Sequence, residues 1–383
     1  MRAVAVIPVL FYHAKFPVFS GGYVGVDTFF VISGYLITHL ILRDLSQENF
    51  SIVTFYERRA RRILPALFAV LLFSCVMGLL FLTPVELKDY SQSLASVSLF
   101  ASNILFWKES GYFETASELK PLLHTWSLSV EEQFYVIYPI LLLLTYKLLR
   151  RNVGLLILVL SVISLISAQI FVESHPDAVF FFLPFRAWEL GVGALAAIYA
   201  DRFRVTNTAA NSTIASAGLV LIAISIVSYD DTTPFPSFWA LVPVMGSVMV
   251  IWCASPGNLV GRVLGSRFLV GIGLISYSLY LWHQPLFVFA RARVLGGVTP
   301  EIYILLIAGS GVLAVLSWRY IERPFRSSTG FSRRAIFSFS GLGLLFFLMV
   351  GAGGHVLQGL PQRISDQALS ILQMRDDLNP DGI

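Results

Sequence analysis

The stretch VGLLILVLSVISLISAQIFV, residues 153–172, decides the fold class, because none of its side chains carries a formal charge. A helix of about 20 apolar residues spans the hydrocarbon core of a bilayer. Similar stretches recur along the whole chain of 383 residues, which is 56% hydrophobic and 13% charged, with a mean hydropathy of +0.75. This composition excludes a water-soluble globular domain and predicts an all-α, polytopic transmembrane helical bundle.

Eleven stretches are long and apolar enough to be predicted spans. They are residues 2–14, 24–43, 64–83, 126–148, 153–172, 180–200, 212–228, 238–254, 268–290, 301–320 and 335–356. The segment 91–107 is Ser-rich and contains Asn103, so we predict an interfacial or re-entrant segment there. The stretch 53–63 is predicted to form an amphipathic helix on the inner surface that leads into the third span.

The distribution of Lys and Arg predicts the sidedness of the spans, because short loops rich in these residues stay in the cytoplasm. With the N-terminus inside, 18 of the 27 Lys and Arg residues lie in inside segments and 8 lie outside. A twelfth span at 91–107 would move the clusters Lys147 to Arg151 and Arg319 to Arg334 outside, against this rule. We therefore expect a cytoplasmic N-terminus and an extracytoplasmic C-terminus.

Ionisable residues within the predicted spans are the first candidates for a functional site, because a charge in the bilayer centre costs about 3 kcal/mol. Seven of them are predicted to lie in the outer half of the membrane: His13, Asp27, Glu131, Glu132, Arg186, Glu189 and His283. Arg2 precedes His13 by eleven residues, so the two would share one helix face about 16 Å apart. Pro8 between them favours a kink.

These candidates also have purely structural interpretations. His13 would then be a hydrogen-bonded residue at the end of a span. Arg186 and Glu189 are three residues apart, a spacing that permits an ion pair within one helix. Ser129 and Glu132 have the spacing of a capping box, in which Glu132 would only complete the start of a helix.

A cluster of arginines is predicted on the opposite membrane face from these residues. It consists of Arg58, Arg59, Arg61 and Arg62. Guanidinium groups bind phosphate oxygens through paired hydrogen bonds, so the cluster is a candidate phosphate-binding surface. The alternative is a topology determinant that also contacts anionic lipid head groups.

Seven motifs in chain order carry a resemblance to a known family. They are RAVAVIPVLFYHA at 2–14, GGYVGVDTFFVISGYLI at 21–37, FYERRARRILPA at 55–66, LLHTWSLSVEEQFYVIYP at 122–139, FRAWELGVGAL at 185–195, ISYSLYLWHQPL at 275–286 and ERPFR at 322–326. In these motifs, and over nearly its whole length, the chain resembles the acyltransferase-3 family of integral membrane acyltransferases.

The resemblance implies a ten-span acyltransferase-3 membrane domain at residues 1–325, a linker with an eleventh transmembrane helix at 326–356, and the start of an exported linker at 357–383. In some members an SGNH-type, serine-esterase-like domain follows, and we expect that domain to be absent from this chain of 383 residues. The implied reaction moves an acyl group, usually acetyl, from cytoplasmic acyl-CoA to a hydroxyl of an envelope sugar. The implied location is the bacterial inner membrane.

The implied partners are acetyl-CoA as co-substrate, an envelope polysaccharide or lipid-linked sugar as acceptor, membrane lipids and an exported SGNH-type domain or protein. The acceptor would belong to lipopolysaccharide O-antigen, exopolysaccharide or peptidoglycan. Neither a nucleic acid nor a metal is expected, and no two histidines have ligand spacing on a common helix.

The resemblance also implies roles for the donor side of the site. Arg2 and the cluster Arg58 to Arg62 would hold the phosphates of coenzyme A at the inner face. The pantetheine arm would pass Ser33 and Gly34 and bring the thioester close to His13.

On the acceptor side, His13 would act as general base on the sugar hydroxyl or would itself accept the acyl group. Glu131 or Asp27 would orient its imidazole, as a carboxylate does by accepting the other ring N–H. The residues expected to contact the acceptor are Trp126, Arg186, Glu189 and His283.

Two other function classes stay open at this point. A proton-coupled transporter or a flippase for a lipid-linked sugar would also use intramembrane Arg, Glu and His. Such a transporter is expected to show internal repeats, which this sequence does not show. A non-catalytic module that feeds acyl groups to an exported partner is the other alternative.

Overall fold

The computed structural model describes residues 1–110, 119–149, 152–200, 202, 207–294, 297–327, 330–365 and 367. Every regular element within these ranges is a helix. The predicted all-α fold class is therefore confirmed. Most of the residues predicted for an exported linker, from 368 to 383, lie outside the described residues.

The helices are numbered in chain order. They are α1 (Arg2–His13), α2 (Gly25–Ser46), α3 (Ile52–Phe81), α4 (Pro84–Ser98), α5 (Ser102–Ser110), α6 (Thr125–Leu149), α7 (Val153–Phe171), α8 (Pro176–Phe181), α9 (Leu183–Ile198), α10 (Thr208–Ser228), α11 (Leu241–Cys253), α12 (Leu259–Leu264), α13 (Arg267–Arg291), α14 (Pro300–Ser317), α15 (Arg323–Arg326) and α16 (Arg333–Val356). A π-helical turn at Trp318–Glu322 joins α14 to α15.

Helices cover all eleven predicted spans. In the described part of the chain, eight helical stretches are long and apolar enough to cross a membrane, and Arg2–His13 and Phe238–Cys253 are shorter apolar helices. Helix α13 is 25 residues long but contains His283, Gln284 and several Ser and Tyr residues, which lower its hydropathy. The predicted polytopic bundle is confirmed.

The segment 91–107 is not one continuous element. It contains the end of α4 and most of α5, and the two helices are separated by a turn in which Phe100 has a φ of 51°. Neither helix is among the stretches that could cross a membrane.

Two predicted boundaries change. The predicted surface helix 53–63 continues into the third span, so that α3 is a single helix of 30 residues. The predicted span 180–200 is divided by the extended residue Phe182 into α8 and α9. Pro184 in the first turn of α9 explains the break, because proline has no N–H to continue the preceding helix.

The alternative interpretation of Ser129 and Glu132 as a capping box is wrong. Helix α6 begins at Thr125, so Ser129 lies inside the helix, where its hydroxyl oxygen is 2.8 Å from that of Ser102. A capping box forms instead at the start of α4, between Thr83 and Glu86. The Ser102 contact ties α5 to α6.

Close packing of α2 against α9 sets the position of the site. A Cβ atom on Gly34 would lie 1.9 Å from the carbonyl oxygen of Leu190, and one on Gly193 would lie 2.1 Å from that of Val31. Only glycine permits this approach of the two backbones. Helix α1 packs between α2 and α13, so its two ends are enclosed by the same bundle.

Candidate active site

An outer chamber with a volume of about 810 Å³ lies where six helices converge, namely α1, α2, α6, α8, α9 and α13. Its wall contains His13 at the end of α1, Asp27 near the start of α2, Trp126 near the start of α6, Arg186 in α9 and Tyr280 in α13. The fold thus brings together five residues from separate sequence motifs, of which Tyr280 was not predicted.

A narrower cavity, the inner passage, has a volume of about 80 Å³ and lies next to the chamber. Arg2, Ser33 and Glu131 line it, and Val26 and Tyr280 line both cavities. Since α1 has 12 residues with Arg2 at one end and His13 at the other, the two Cα atoms are about 16 Å apart. The two cavities therefore lie at opposite ends of α1 and share a wall.

His13 is paired with a second histidine. Its Nδ1 atom lies 2.8 Å from Nε2 of His283, and Nδ1 of His283 lies 2.6 Å from the carbonyl oxygen of Tyr280. The side chain of Arg291 donates to the backbone carbonyl of His13. The ring and the backbone of His13 are therefore both held by α13.

The carboxylate predicted to orient His13 is not in contact with it. Asp27 accepts a 2.8 Å hydrogen bond from Arg186, and Glu131 accepts a 2.7 Å hydrogen bond from Ser33. The structure thus assigns the position beside His13 to His283. His283, predicted to contact the acceptor, is fully buried and lies in the wall of neither described cavity.

Arg186 forms a buried ion-pair network with two carboxylates. It lies 2.8 Å from Asp27 and 2.8 Å from Glu189, and all three side chains are at most 1% exposed. The predicted Arg186–Glu189 pair is present, and Asp27 completes it. Four aromatic rings surround the guanidinium, with centroids 5.3 to 5.7 Å from its central carbon: Phe30, Trp126, Phe180 and Phe235.

The depth predicted for Glu131 was that of His13, in the outer half of the membrane. In the structure Glu131 is not in the wall of the chamber that contains His13. It lines the inner passage together with Arg2 and Arg62. The reason is its place in α6: the helix begins at Thr125, so Glu131 lies about 9 Å further along the axis. Ser33 is at a similar depth in α2 and binds Glu131 directly.

The predicted arginine cluster separates into members with different surroundings. Arg58 is exposed and forms a 2.9 Å ion pair with Asp44. Arg61 is buried and binds Glu57 at 2.9 Å, together with three backbone carbonyls. Arg58 and Arg61 are therefore occupied by the protein itself, which argues against the phosphate-binding role predicted for them.

The remaining arginines are Arg2, Arg59 and Arg62, and the carboxylate of Glu131 lies in the wall of the same passage as two of them. Arg2 and Arg62 line the inner passage, and the guanidinium of Arg59 lies 5.4 Å from the ring centroid of Tyr135. Within the described residues, none of the three has a carboxylate within 4.0 Å. Gly34, predicted to lie along the same path, packs against Leu190 and lines neither described cavity.

An acidic loop lies at the wall of the chamber. Asp231 accepts a 3.3 Å hydrogen bond from Tyr12, and the backbone carbonyl of Asp230 accepts one of 3.2 Å from Tyr23. The hydroxyl and backbone N–H of Thr232 both donate to the Asp230 carboxylate, which lowers the pKa of Asp230 from its ordinary value. This loop therefore carries a stable negative charge beside the chamber.

Residues 1–323 match the family model described as an acyltransferase domain, that of the acyltransferase-3 family. The chain belongs to this family. The resemblance inferred from the seven motifs is confirmed, and the chain is a multi-pass membrane member of the family.

Two curated relatives of this acyltransferase come from Staphylococcus aureus. "O-acetyltransferase OatA" of strain NCTC 8325 / PS 47 is 29% identical over 341 residues, and "Putative O-acetyltransferase SACOL0978" of strain COL is 32% identical over 342 residues. Each alignment covers 85% of this chain and 56% of the relative, so the chain spans just over half the length of these relatives. No solved structure matches the chain.

Sequence reasoning missed two residues of the candidate site. Tyr280 joins the two cavities, and its hydroxyl lies 2.7 Å from that of Ser127. The ring of His124 is buried 5.6 Å from that of His283. Both missed residues lie in motifs that carried the resemblance to the family, and this was the one feature of the sequence that could have indicated them. Among the described residues, no group of three or more His, Cys, Asp or Glu could hold a metal ion.

Proposed function

We propose that this acyltransferase is a membrane O-acetyltransferase that transfers an acetyl group from acetyl-CoA to a hydroxyl of an envelope sugar. One observation carries the proposal: the inner passage, with Arg2 and Arg62, shares a wall with the outer chamber that contains His13. The names of the curated relatives, which are O-acetyltransferases, support acetyl as the transferred group.

The donor side of the proposal rests on the arginines. An unbalanced guanidinium charge within a membrane protein is costly. Arg2 and Arg62 line the inner passage with one carboxylate, that of Glu131, which accepts a hydrogen bond from Ser33. The phosphates of coenzyme A would supply the missing negative charge. The pantetheine arm would then extend along the inner passage past Ser33 and Glu131 to the shared wall.

The acceptor side rests on His13. As the sugar hydroxyl oxygen attacks the thioester carbon, the imidazole of His13 takes the hydroxyl proton. The C–S bond then breaks, and the same proton passes to the thiolate of coenzyme A. In a two-step route, His13 would first attack the thioester carbon, and the C–S bond would break to release coenzyme A as a thiolate. The sugar hydroxyl oxygen would then attack the acetyl carbon, the C–N bond to His13 would break, and the hydroxyl proton would pass to the thiolate. Both routes use the same nitrogen and the same two cavities.

We further propose that the inner passage faces the cytoplasm of a bacterial cell and that the chamber faces the envelope. The excess of Arg and Lys in the segments predicted to be inside supports this orientation. The transporter alternative has less support, because the chain belongs to an acyltransferase family and a transport cycle does not require an acyl donor.

The test uses the full chain, purified in detergent, with radiolabelled acetyl-CoA as donor and chitotetraose as a soluble hydroxyl acceptor. His13→Ala should bind the donor as the wild type does but lose turnover. Arg62→Ala should weaken donor binding about 10- to 100-fold, since a hydrogen bond to a charged group contributes about 1.5–3 kcal/mol. Equilibrium binding and thiol release measure the two effects separately.

Arg58→Ala is the matched control for the donor site. It is the same substitution on the same helix, but Arg58 is exposed and paired with Asp44. Donor binding should therefore be unchanged. Full turnover in His13→Ala, or equal binding losses in Arg58→Ala and Arg62→Ala, would refute the proposal.

A further inference from the structure

We infer that His283 is a positioning residue that fixes the tautomer of His13 and leaves Nε2 of His13 as the reactive nitrogen. The inference rests on the proposed function, in which His13 exchanges a proton or an acetyl group with the substrates. It adds a residue outside both described cavities to the machinery of that reaction.

The proton positions follow from the contact between the ring of His283 and the backbone of its own helix, α13. Nδ1 of His283 lies 2.6 Å from the carbonyl oxygen of Tyr280. A carbonyl oxygen can only accept, so Nδ1 of His283 carries the proton in this hydrogen bond. In a neutral imidazole the other nitrogen then has a lone pair. Nε2 of His283 is therefore an acceptor.

That acceptor determines the state of His13. Nε2 of His283 lies 2.8 Å from Nδ1 of His13, so the proton between them belongs to His13. With Nδ1 protonated, the lone pair of neutral His13 is on Nε2, and His13 lines the outer chamber. A hydroxyl or a thioester in the chamber would thus meet a basic nitrogen instead of an N–H group.

The surroundings hold His283 in this orientation. Its side chain is 0% exposed, and its ring lies 5.4 Å from that of Tyr280 and 5.6 Å from that of Phe287. The titratable or charged neighbours of the pair are Tyr12, His124, Tyr280 and Arg291. Among the described residues, no carboxylate forms a hydrogen bond with either ring. A neutral histidine thus fills the place that a carboxylate takes in many catalytic triads.

The experiment compares His283→Leu, which removes the acceptor, with His283→Gln, which retains an oxygen that can accept from Nδ1 of His13. We expect His283→Leu to lower kcat about 10- to 1000-fold. Removing a residue that orients a histidine typically costs about 10- to 100-fold in activity, and fixing a catalytic histidine in the wrong tautomer costs about 10⁴-fold in kcat. Binding of acetyl-CoA and the KM for chitotetraose should not change. His283→Gln should restore a large part of the lost kcat.

His175→Gln is the control, because it is the same substitution at an exposed histidine whose ring contacts Ser174 and Phe171 among the residues that the structure describes. It should behave as the wild type. A wild-type kcat in His283→Leu, or a change confined to the acceptor KM, would overturn the inference. So would a folded His283→Gln with no more activity than His283→Leu.

A second measurement does not depend on activity. In protein labelled with ¹⁵N-histidine, the signals of His13 can be assigned as those lost in His13→Gln. The expected spectrum shows a protonated Nδ1 and an unprotonated Nε2, with a mixture of both forms in His283→Leu. The reverse assignment in the wild type would refute the inference even where the proposed function holds. Full activity of His13→Ala would instead remove the proposed function.

Discussion

Replacing Arg61 by alanine should destabilise the protein, whereas replacing its neighbour Arg62 should not. The side chain of Arg61 is only 6% exposed. It donates two hydrogen bonds to Glu57, at 2.9 and 3.0 Å, and three to backbone carbonyls, at 2.6 to 3.2 Å. The carbonyls belong to Phe325, Ser327 and Phe331, so Arg61 fixes the turn between α15 and α16 against α3.

The expected decrease in the free energy of unfolding follows from these five hydrogen bonds. Breaking a buried ion pair by removing one partner costs about 3–5 kcal/mol, because the other charge is left uncompensated. Glu57 retains Arg333, whose Nε lies 2.7 Å away. This remaining partner places Arg61→Ala near the lower limit, at about 3 kcal/mol. Arg61→Lys should recover less than half of the loss, since an ammonium group cannot reproduce the planar fork of guanidinium.

Fluorescence-detected size-exclusion chromatography after heating measures the apparent Tm in detergent. At about 2–4 °C per kcal/mol, Arg61→Ala should melt about 6–12 °C below the wild type. Arg62→Ala should have the same apparent Tm as the wild type and should lose donor binding instead. The opposite pattern, with wild-type Tm and lost donor binding in Arg61→Ala, would refute the assignment of Arg61 to structure.

Two further predictions follow from local geometry. Gly34→Ala should lower the yield of monodisperse protein and its Tm, since the new Cβ would lie 1.9 Å from the Leu190 carbonyl oxygen. Gly271→Ala is the control and should retain both, because nothing lies within 4 Å of the added Cβ. The lowered pKa of Asp230 means that its contribution to stability is complete above the unfolded value of 3.8 and disappears only as the pH falls through the lower folded value. Asp230→Asn should therefore leave the shape of the kcat profile between pH 5 and 8 unchanged, and a shifted acid limb would contradict this.

Local patterns in the sequence predicted what depends on one helix at a time. Apolar runs predicted the helices, because the hydrocarbon core sets their length and excludes charge. The eleven-residue spacing of Arg2 and His13 placed them at opposite ends of α1, where the structure has them. The Arg186–Glu189 pair followed in the same way from a spacing of three.

Contacts between distant helices were not accessible to this reasoning. His13 and His283 are 270 residues apart, and their hydrogen bond depends on the packing of α1 against α13. A carboxylate was expected beside His13 because carboxylates commonly orient histidines, but Asp27 is bound by Arg186. The Arg61–Glu57 pair did have a local signal, its spacing of four. The three carbonyls that bind Arg61 come from a segment about 270 residues away and had none.

The partners of the arginines indicate which substrate each cavity suits. Arg186 contacts two carboxylates, and Arg61 contacts one carboxylate and three carbonyls, so both guanidinium groups already have their partners within the protein. Arg2 and Arg62 have no carboxylate within 4.0 Å among the described residues, and both line the inner passage. The wall of this passage thus has two guanidinium groups and one carboxylate, that of Glu131. Since an unbalanced charge in a membrane protein is costly, the passage suits an anionic donor. The chamber, in which Arg186 is already paired and surrounded by aromatic rings, suits an acceptor that brings hydroxyl groups rather than charge.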